Sequence, residues 1–261
     1  MNPLATAFLI AALTVTALML ALYGVARRVN KVGVVDVGWA WATGLLAVAV
    51  LLAGDGDPVR RAVAAGCIGL WSLRLGTYLL FNRVIGAEED GRYQAMLDHW
   101  GDTAWRKMFW FYLAQAGFAI LFAVPMLPVA TAPAPFPSLA DAAALAVWAV
   151  AVLGEGVADR QLARWRAAPE HRGRTCRAGL WRYSRHPNYF FEWLHWWAYV
   201  LLALSSPWWW VTLAAPALML AFLYRFTGIP YTEAQALRSR GEDYRDYQRT
   251  TSAFFPWFPR G

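Results

Sequence analysis

The chain has 261 residues, of which 59% are hydrophobic and 16 are Trp, a composition too apolar for a soluble domain and containing runs long enough to cross a bilayer. Its formal charge of +7 would point to nucleic acid only if the basic residues formed a groove. They gather instead in short connections between apolar runs, as positive-inside topology requires.

In chain order, the apolar runs predict seven transmembrane helices over 4–26, 32–53, 59–83, 107–128, 139–163, 189–205 and 207–228. The first run is long for a secretory signal and no basic region precedes it, so it reads as a span. The first, third and fifth connections are basic: Arg27, Arg28 and Lys31; then Arg83, Arg92, Arg106 and Lys107; then Arg164, Arg166, Arg172, Arg174, Arg177, Arg182 and Arg185. The fourth and sixth carry no Lys or Arg, and the second mixes Asp55 and Asp57 with Arg60 and Arg61. This alternation predicts the N-terminus outside and the C-terminus inside. The expected architecture is an all-α integral membrane protein of one domain, 1–261, closed by a cytoplasmic amphipathic helix over 231–247. Cys67 falls within a span and Cys176 in a connection predicted to be cytoplasmic, so no disulfide is expected. No Cys/His spacing suggests a metal.

Ionisable groups at membrane depth need a partner, a cavity or a ligand. Asp36, near the start of the second span, has two readings: it caps the span or pairs with Lys31 or Arg74, or it faces a cavity as a hydrogen-bonding acid for a substrate carbonyl. On the third span Trp71, Arg74, Tyr78 and Asn82 form one helical stripe with Arg83 just beyond, which serves either helix association or a ligand channel. The fifth span ends with Glu155 and Asp159 one turn apart, before Arg166 and Arg174. Carboxylates suit ribose hydroxyls and guanidinium groups suit phosphates, although topology alone would also place arginines here. Gly154-Glu155-Gly156 lies in a helical run rather than after a strand, which excludes a Rossmann loop.

The densest polar signal is Gly179-Leu180-Trp181-Arg182-Tyr183-Ser184-Arg185-His186-Pro187-Asn188-Tyr189-Phe190-Phe191-Glu192-Trp193. Pro187 suits a first helical turn, and the N–H groups and dipole there favour a phosphate. Asn188, Glu192 and Trp196 recur every four residues, either as a structural pair above an aromatic or as one wall of a slot for a flat ring. Downstream, Gly228-Ile229-Pro230 leads through Glu233 to Gly241-Glu242-Asp243-Tyr244-Arg245-Asp246-Tyr247 and Phe255-Pro256-Trp257. Together these motifs resemble the C-terminal signature of the membrane steroid 5α-reductase family (3-oxo-5α-steroid 4-dehydrogenase), above all its bacterial branch; the N-terminal half is similar only loosely.

The resemblance implies roles for matching positions. Asp36 stands for the acidic residue that binds the steroid ketone, and Trp71 stands where animal reductases carry a Tyr that helps hold it, so Asp36, Trp71 and Glu192 are the implied catalytic residues. Arg74, Tyr78, Asn82, Arg83, Asp159, Arg166, Arg174, Asn188, Tyr189, Glu192 and Trp196 are implied to contact NADPH, with Arg225, Glu233 and Tyr244 near its adenosine half. The implied reaction is NADPH-dependent reduction of the Δ4 double bond of a 3-oxo steroid to the 5α-dihydro product. The implied setting is the bacterial inner membrane, with the cofactor site facing the cytoplasm. A steroid or other lipid enone and membrane lipids are the expected partners; nucleic acid and metal are not. Two alternatives stay open. Arg-His-Pro-Asn-Tyr also occurs in isoprenylcysteine carboxyl methyltransferases, which use S-adenosylmethionine, and Glu192 four residues after Asn188 is the feature that separates them. A non-enzymatic sterol- or lipid-binding protein would need no nucleotide.

Overall fold

The computed structural model describes residues 2–86, 89–226 and 228–260, leaving aside the side chains of Arg83 and Phe226. The described residues are helical, with no strand among them: α1 (Pro3–Val29), α2 (Val34–Ala53), α3 (Pro58–Leu79), α4 (Gly91–Trp100), α5 (Ala104–Ala123), α6 (Met126–Ala130), α7 (Leu139–Ala167), α8 (Pro187–Leu202), α9 (Ala214–Ala221), α10 (Ile229–Arg240) and α11 (Glu242–Thr250). Five helical stretches among the described residues are long and apolar enough to cross a membrane: Pro3–Val29, Val34–Ala53, Pro58–Asn82, Leu139–Ala167 and Trp209–Arg240. These long apolar helices mark a membrane protein. The run read as a fourth span is divided between α5 and α6 at Pro125, which has no N–H to continue the helical ladder. The sixth is α8, of 16 residues.

The chain separates into two compact units, residues 1–141 with 202–212 and residues 142–201 with 213–261. In the first, Asn2 and Asp57 cap α1 and α3 by accepting the Leu4 and Arg60 N–H groups, each ahead of a proline at the first helical position. Small residues let α2 and α3 approach closely. A Cβ on Gly44 would fall 2.2 Å from the Ser72 side chain, and one on Gly76 would fall 2.2 Å from the Trp41 indole nitrogen. Ser72 Oγ then donates to the Ala40 carbonyl at 2.9 Å. Below the α3 cap, Arg60 forks onto both oxygens of Asp141 at 2.8 Å. The side chains are 2% and 1% exposed, and Ser138 N–H and Oγ satisfy the carboxylate further.

In the second unit a Cβ on Gly154 would fall 2.5 Å from the Phe191 ring, so the first glycine of Gly154-Glu155-Gly156 marks the close contact of α7 with α8. Trp193 Nε1 ties α8 to the Pro216 carbonyl in α9 at 3.0 Å. The expected tail helix is two helices, because the chain turns at Gly241 with φ 53°. α11 buries Tyr244 and Tyr247. Its acidic face meets Arg177, which reaches Asp243 at 3.1 Å and Asp246 at 2.8 Å. Cys67 and Cys176 are buried free thiols.

Candidate functional site

In the first unit, Asp90 caps α4 through the Arg92 N–H, which sets the helix so that its first turn faces α2. Tyr93, itself buried, donates to Asp36 Oδ1 at 2.5 Å, and Arg92 Nη2 reaches Oδ2 at 3.3 Å. Glu89 accepts from the Val32 and Gly33 N–H groups just before α2, and Tyr112 donates to the Val32 carbonyl. Asp36 is thus the meeting point of a polar lattice around the start of α2. Arg92 and Tyr93 are absent from the residues expected at this site; the capping Asp90 was the local signal that places them.

Trp71 is fully buried, edge-on to Trp39 with ring centroids 6.3 Å apart. Farther along, Arg74 is half-buried, while Tyr78 and Asn82 are exposed. α3 passes into a π-helix over Leu80–Val84, and the Asn82 amide donates to the Tyr78 carbonyl at 2.8 Å. The side chain of Arg83 lies outside the described residues.

In the second unit, Gly179 adopts φ +59° where a Cβ would collide with the Gln161 amide, and that amide accepts from Leu180 N–H at 2.9 Å. Trp181 Nε1 donates to the Ala158 carbonyl. Ser184 Oγ donates to the Phe254 carbonyl, and Tyr247 donates to the carbonyls of Trp181 and Ser184. Much of the motif before Pro187 therefore docks the C-terminal tail. The centre of that contact is Glu233. Its Oε1 accepts from Arg185 Nε at 2.7 Å and lies 3.2 Å from His186 Nε2, and Tyr244 reaches the same oxygen at 3.4 Å. Gln248 donates to Oε2 at 2.7 Å. Burial pushes the His186 imidazole below its ordinary value, against the opposing pull of Glu233. The sequence marked Glu233 and Tyr244 but not Arg185, His186 or Gln248 as their partners.

Beyond Pro187, Asn188 Nδ2 reaches Asp159 Oδ1 at 3.3 Å, joining α8 to α7. One turn deeper Glu192 is buried, and one turn below that Trp196 is fully buried. His195 contacts the Glu192 carbonyl through Nδ1 at 2.6 Å, and Glu155 is a further buried carboxylate on α7. Tyr189 stacks on His186 with centroids 5.3 Å apart and shares a hydrogen bond with Thr232. Arg166 and Arg174 are exposed, and neither pairs with a carboxylate among the described residues, whereas Arg177 and Arg185 are committed to the tail. Arg225 is exposed on a second π-helical segment, Phe222–Phe226.

This combination of apolar helices, polar helix mouth and docked tail extends over nearly the whole chain, and so does the match to one family, described as a protein of unknown function (DUF1295), over residues 22–251. The chain belongs to the DUF1295 family. The family is associated with steroid 5α-reductase-like membrane proteins. No curated protein and no solved structure matches the chain.

Proposed function

We propose that this DUF1295 protein is an NADPH-dependent reductase of a lipid enone, with a Δ4-3-oxo steroid as the substrate class and the 5α-dihydro ketone as the product. The observation that carries this reading is the line on α8 from Asn188, hydrogen-bonded to Asp159, through buried Glu192 to fully buried Trp196. Polar groups at a helix mouth followed by a buried carboxylate and an indole suit a ligand whose charged end stays wet and whose flat reactive end is sheltered. The donor set fits a dinucleotide. Arg166 and Arg174 pair with no carboxylate among the described residues and offer forks for phosphate, Asp159 offers acceptors for hydroxyls, and Asn188 and Glu192 suit a carboxamide.

Bound NADPH supplies the hydride for the β-carbon of the enone, C5 of the steroid. The chain's own work is to orient that cofactor and to polarise the ketone, so that charge developing on its oxygen is stabilised and a proton can reach C4. Asp36 accepts from Tyr93 and Arg92; in the proposed step the single phenolic hydrogen of Tyr93 turns from Asp36 to the ketone oxygen while Arg92 keeps the carboxylate paired. The proposed setting is a seven-span protein with the N-terminus outside, the C-terminus inside and the cofactor residues on the cytoplasmic side of a bacterial inner membrane.

The test is calorimetric titration of the purified protein with NADPH and with S-adenosylmethionine, followed by steroid-dependent oxidation of NADPH. Preference for NADPH with enone-dependent turnover supports the reductase. Preference for S-adenosylmethionine supports a methyltransferase instead, and ligand uptake without any nucleotide requirement supports a sterol-binding protein.

A further inference from the structure

After α11 the chain closes into a ring. Arg260 N–H donates to the Thr250 carbonyl at 2.8 Å, and the ring is pinned by Trp257 N–H to Tyr183 O at 2.9 Å and Arg185 N–H to Ser252 O at 2.8 Å. It encloses a pocket of about 320 Å³ whose wall includes Arg185, Arg249, Arg260 and the hydroxyl residues Thr250, Thr251 and Ser252. No lining residue is acidic. Arg185 is held rigidly, with Nε on Glu233 and Nη1 on the carbonyls of Gln248 and Thr251. Arg185 is paired with Glu233 and Arg249 with Asp246 at 3.2 Å, so Arg260, which is exposed, is the one of the three without an ion pair among the described residues. The N–H groups that these guanidinium forks leave over match phosphate oxygens.

The rim indicates where that anion comes from. Trp257 and Phe258 line the pocket mouth and are 71% and 76% exposed. Large aromatic rings bordering a basic pocket suit the headgroup level of a bilayer, where an apolar body and charged neighbours are both accommodated. None of the lining residues belongs to the Asp159–Asn188–Glu192–Trp196 line, whereas Arg185 and Gln248 of the wall hold Glu233, one of the residues expected near the adenosine half of the cofactor. We propose that this pocket binds the phosphate-bearing headgroup of an anionic membrane lipid and thereby seats the C-terminal ring on the membrane surface.

The experiment uses the full chain in nonionic detergent, titrated with phosphatidylglycerol or phosphatidylcholine of matched acyl chains while thermal unfolding is followed. Inorganic phosphate and NADPH form separate arms. Phosphatidylglycerol is expected to raise Tm and phosphatidylcholine to leave it unchanged. Arg249→Gln with Arg260→Gln should weaken the apparent lipid affinity by roughly ten-fold or more, and Trp257→Ala with Phe258→Ala should weaken it as well. Arg260→Gln alone, at an exposed position, serves if the double variant does not fold. Equal stabilisation by the two lipids, an unchanged response in the arginine variants, or an unchanged response in the aromatic variant would each overturn the proposal. So would a shift reproduced in full by inorganic phosphate, or a lipid effect abolished by NADPH.

Discussion

Tyr93 donates its phenolic hydrogen to Asp36 at 2.5 Å, while Arg92, its neighbour in the first turn of α4, reaches the other carboxylate oxygen at 3.3 Å. The pair joins a short helix in the connection after α3 to the start of α2. The carboxylate accepts both bonds, and the one phenolic hydrogen can serve a ketone only by leaving Asp36 for it.

Removing either member therefore has a kinetic signature. Asp36→Leu and Tyr93→Phe are expected to cut kcat/KM for a Δ4-3-ketosteroid by roughly 10²–10³, as loss of an oxyanion donor does, with NADPH affinity nearly unchanged. Steady-state kinetics with calorimetry on folded protein checks this. Near wild-type turnover in both variants would assign the pair to anchoring α4 alone.

Arg166 and Arg174 are exposed, so their substitution leaves the packing intact. Arg→Ala at either is expected to raise the NADPH KM by about ten-fold or more, from the loss of a charge-assisted hydrogen bond of roughly 1.5–3 kcal/mol. The steroid KM should change less. Wild-type cofactor KM in both variants would leave these arginines with a topological role only.

Gly76 and Gly66 lie on the same helix in opposite surroundings. A Cβ on Gly76 meets the Trp41 indole, whereas one on Gly66 meets nothing within 4 Å. Gly76→Ala is expected to destabilise by about 1–3 kcal/mol through overpacking, and Gly66→Ala to be neutral or mildly stabilising through helix propensity. Thermal unfolding in detergent compares the two.

Arg60 and Asp141 form a buried fork. Asp141→Ala strands a guanidinium in a dry setting and is expected to cost about 3–5 kcal/mol, whereas replacing both partners by apolar residues of similar volume should cost much less. A double-mutant cycle on unfolding midpoints measures the difference.

The depressed His186 value has a defined sign. The unfolded chain takes up a proton near the ordinary imidazole value of about 6.5, which the folded chain resists. The stability contribution is therefore complete above that pH and declines as pH falls below it toward the folded value. His186→Gln should flatten Tm between about pH 7 and pH 5. An unaltered slope would place the titrating group elsewhere.

Sequence alone determined that the chain is a helical membrane protein, because apolar run length is a local property that the bilayer reads directly. It also placed Asn188, Glu192 and Trp196 on one face of α8, because side-chain direction repeats every 3.6 residues. Pro187 at the first helical position follows from the same local rules. Only tertiary structure decided the partners. Asp36 had Lys31 and Arg74 as nearby charged candidates along the chain, and the fold also brings Arg92 and Tyr93, from the first turn of α4, to its two oxygens. Glu233 carried no local sign that Arg185, His186 and Gln248 would surround it, and Gly154 showed its purpose only against Phe191. Periodicity says which residues share a face. Which element covers that face depends on the summed packing and hydrogen bonding of segments distant in the chain.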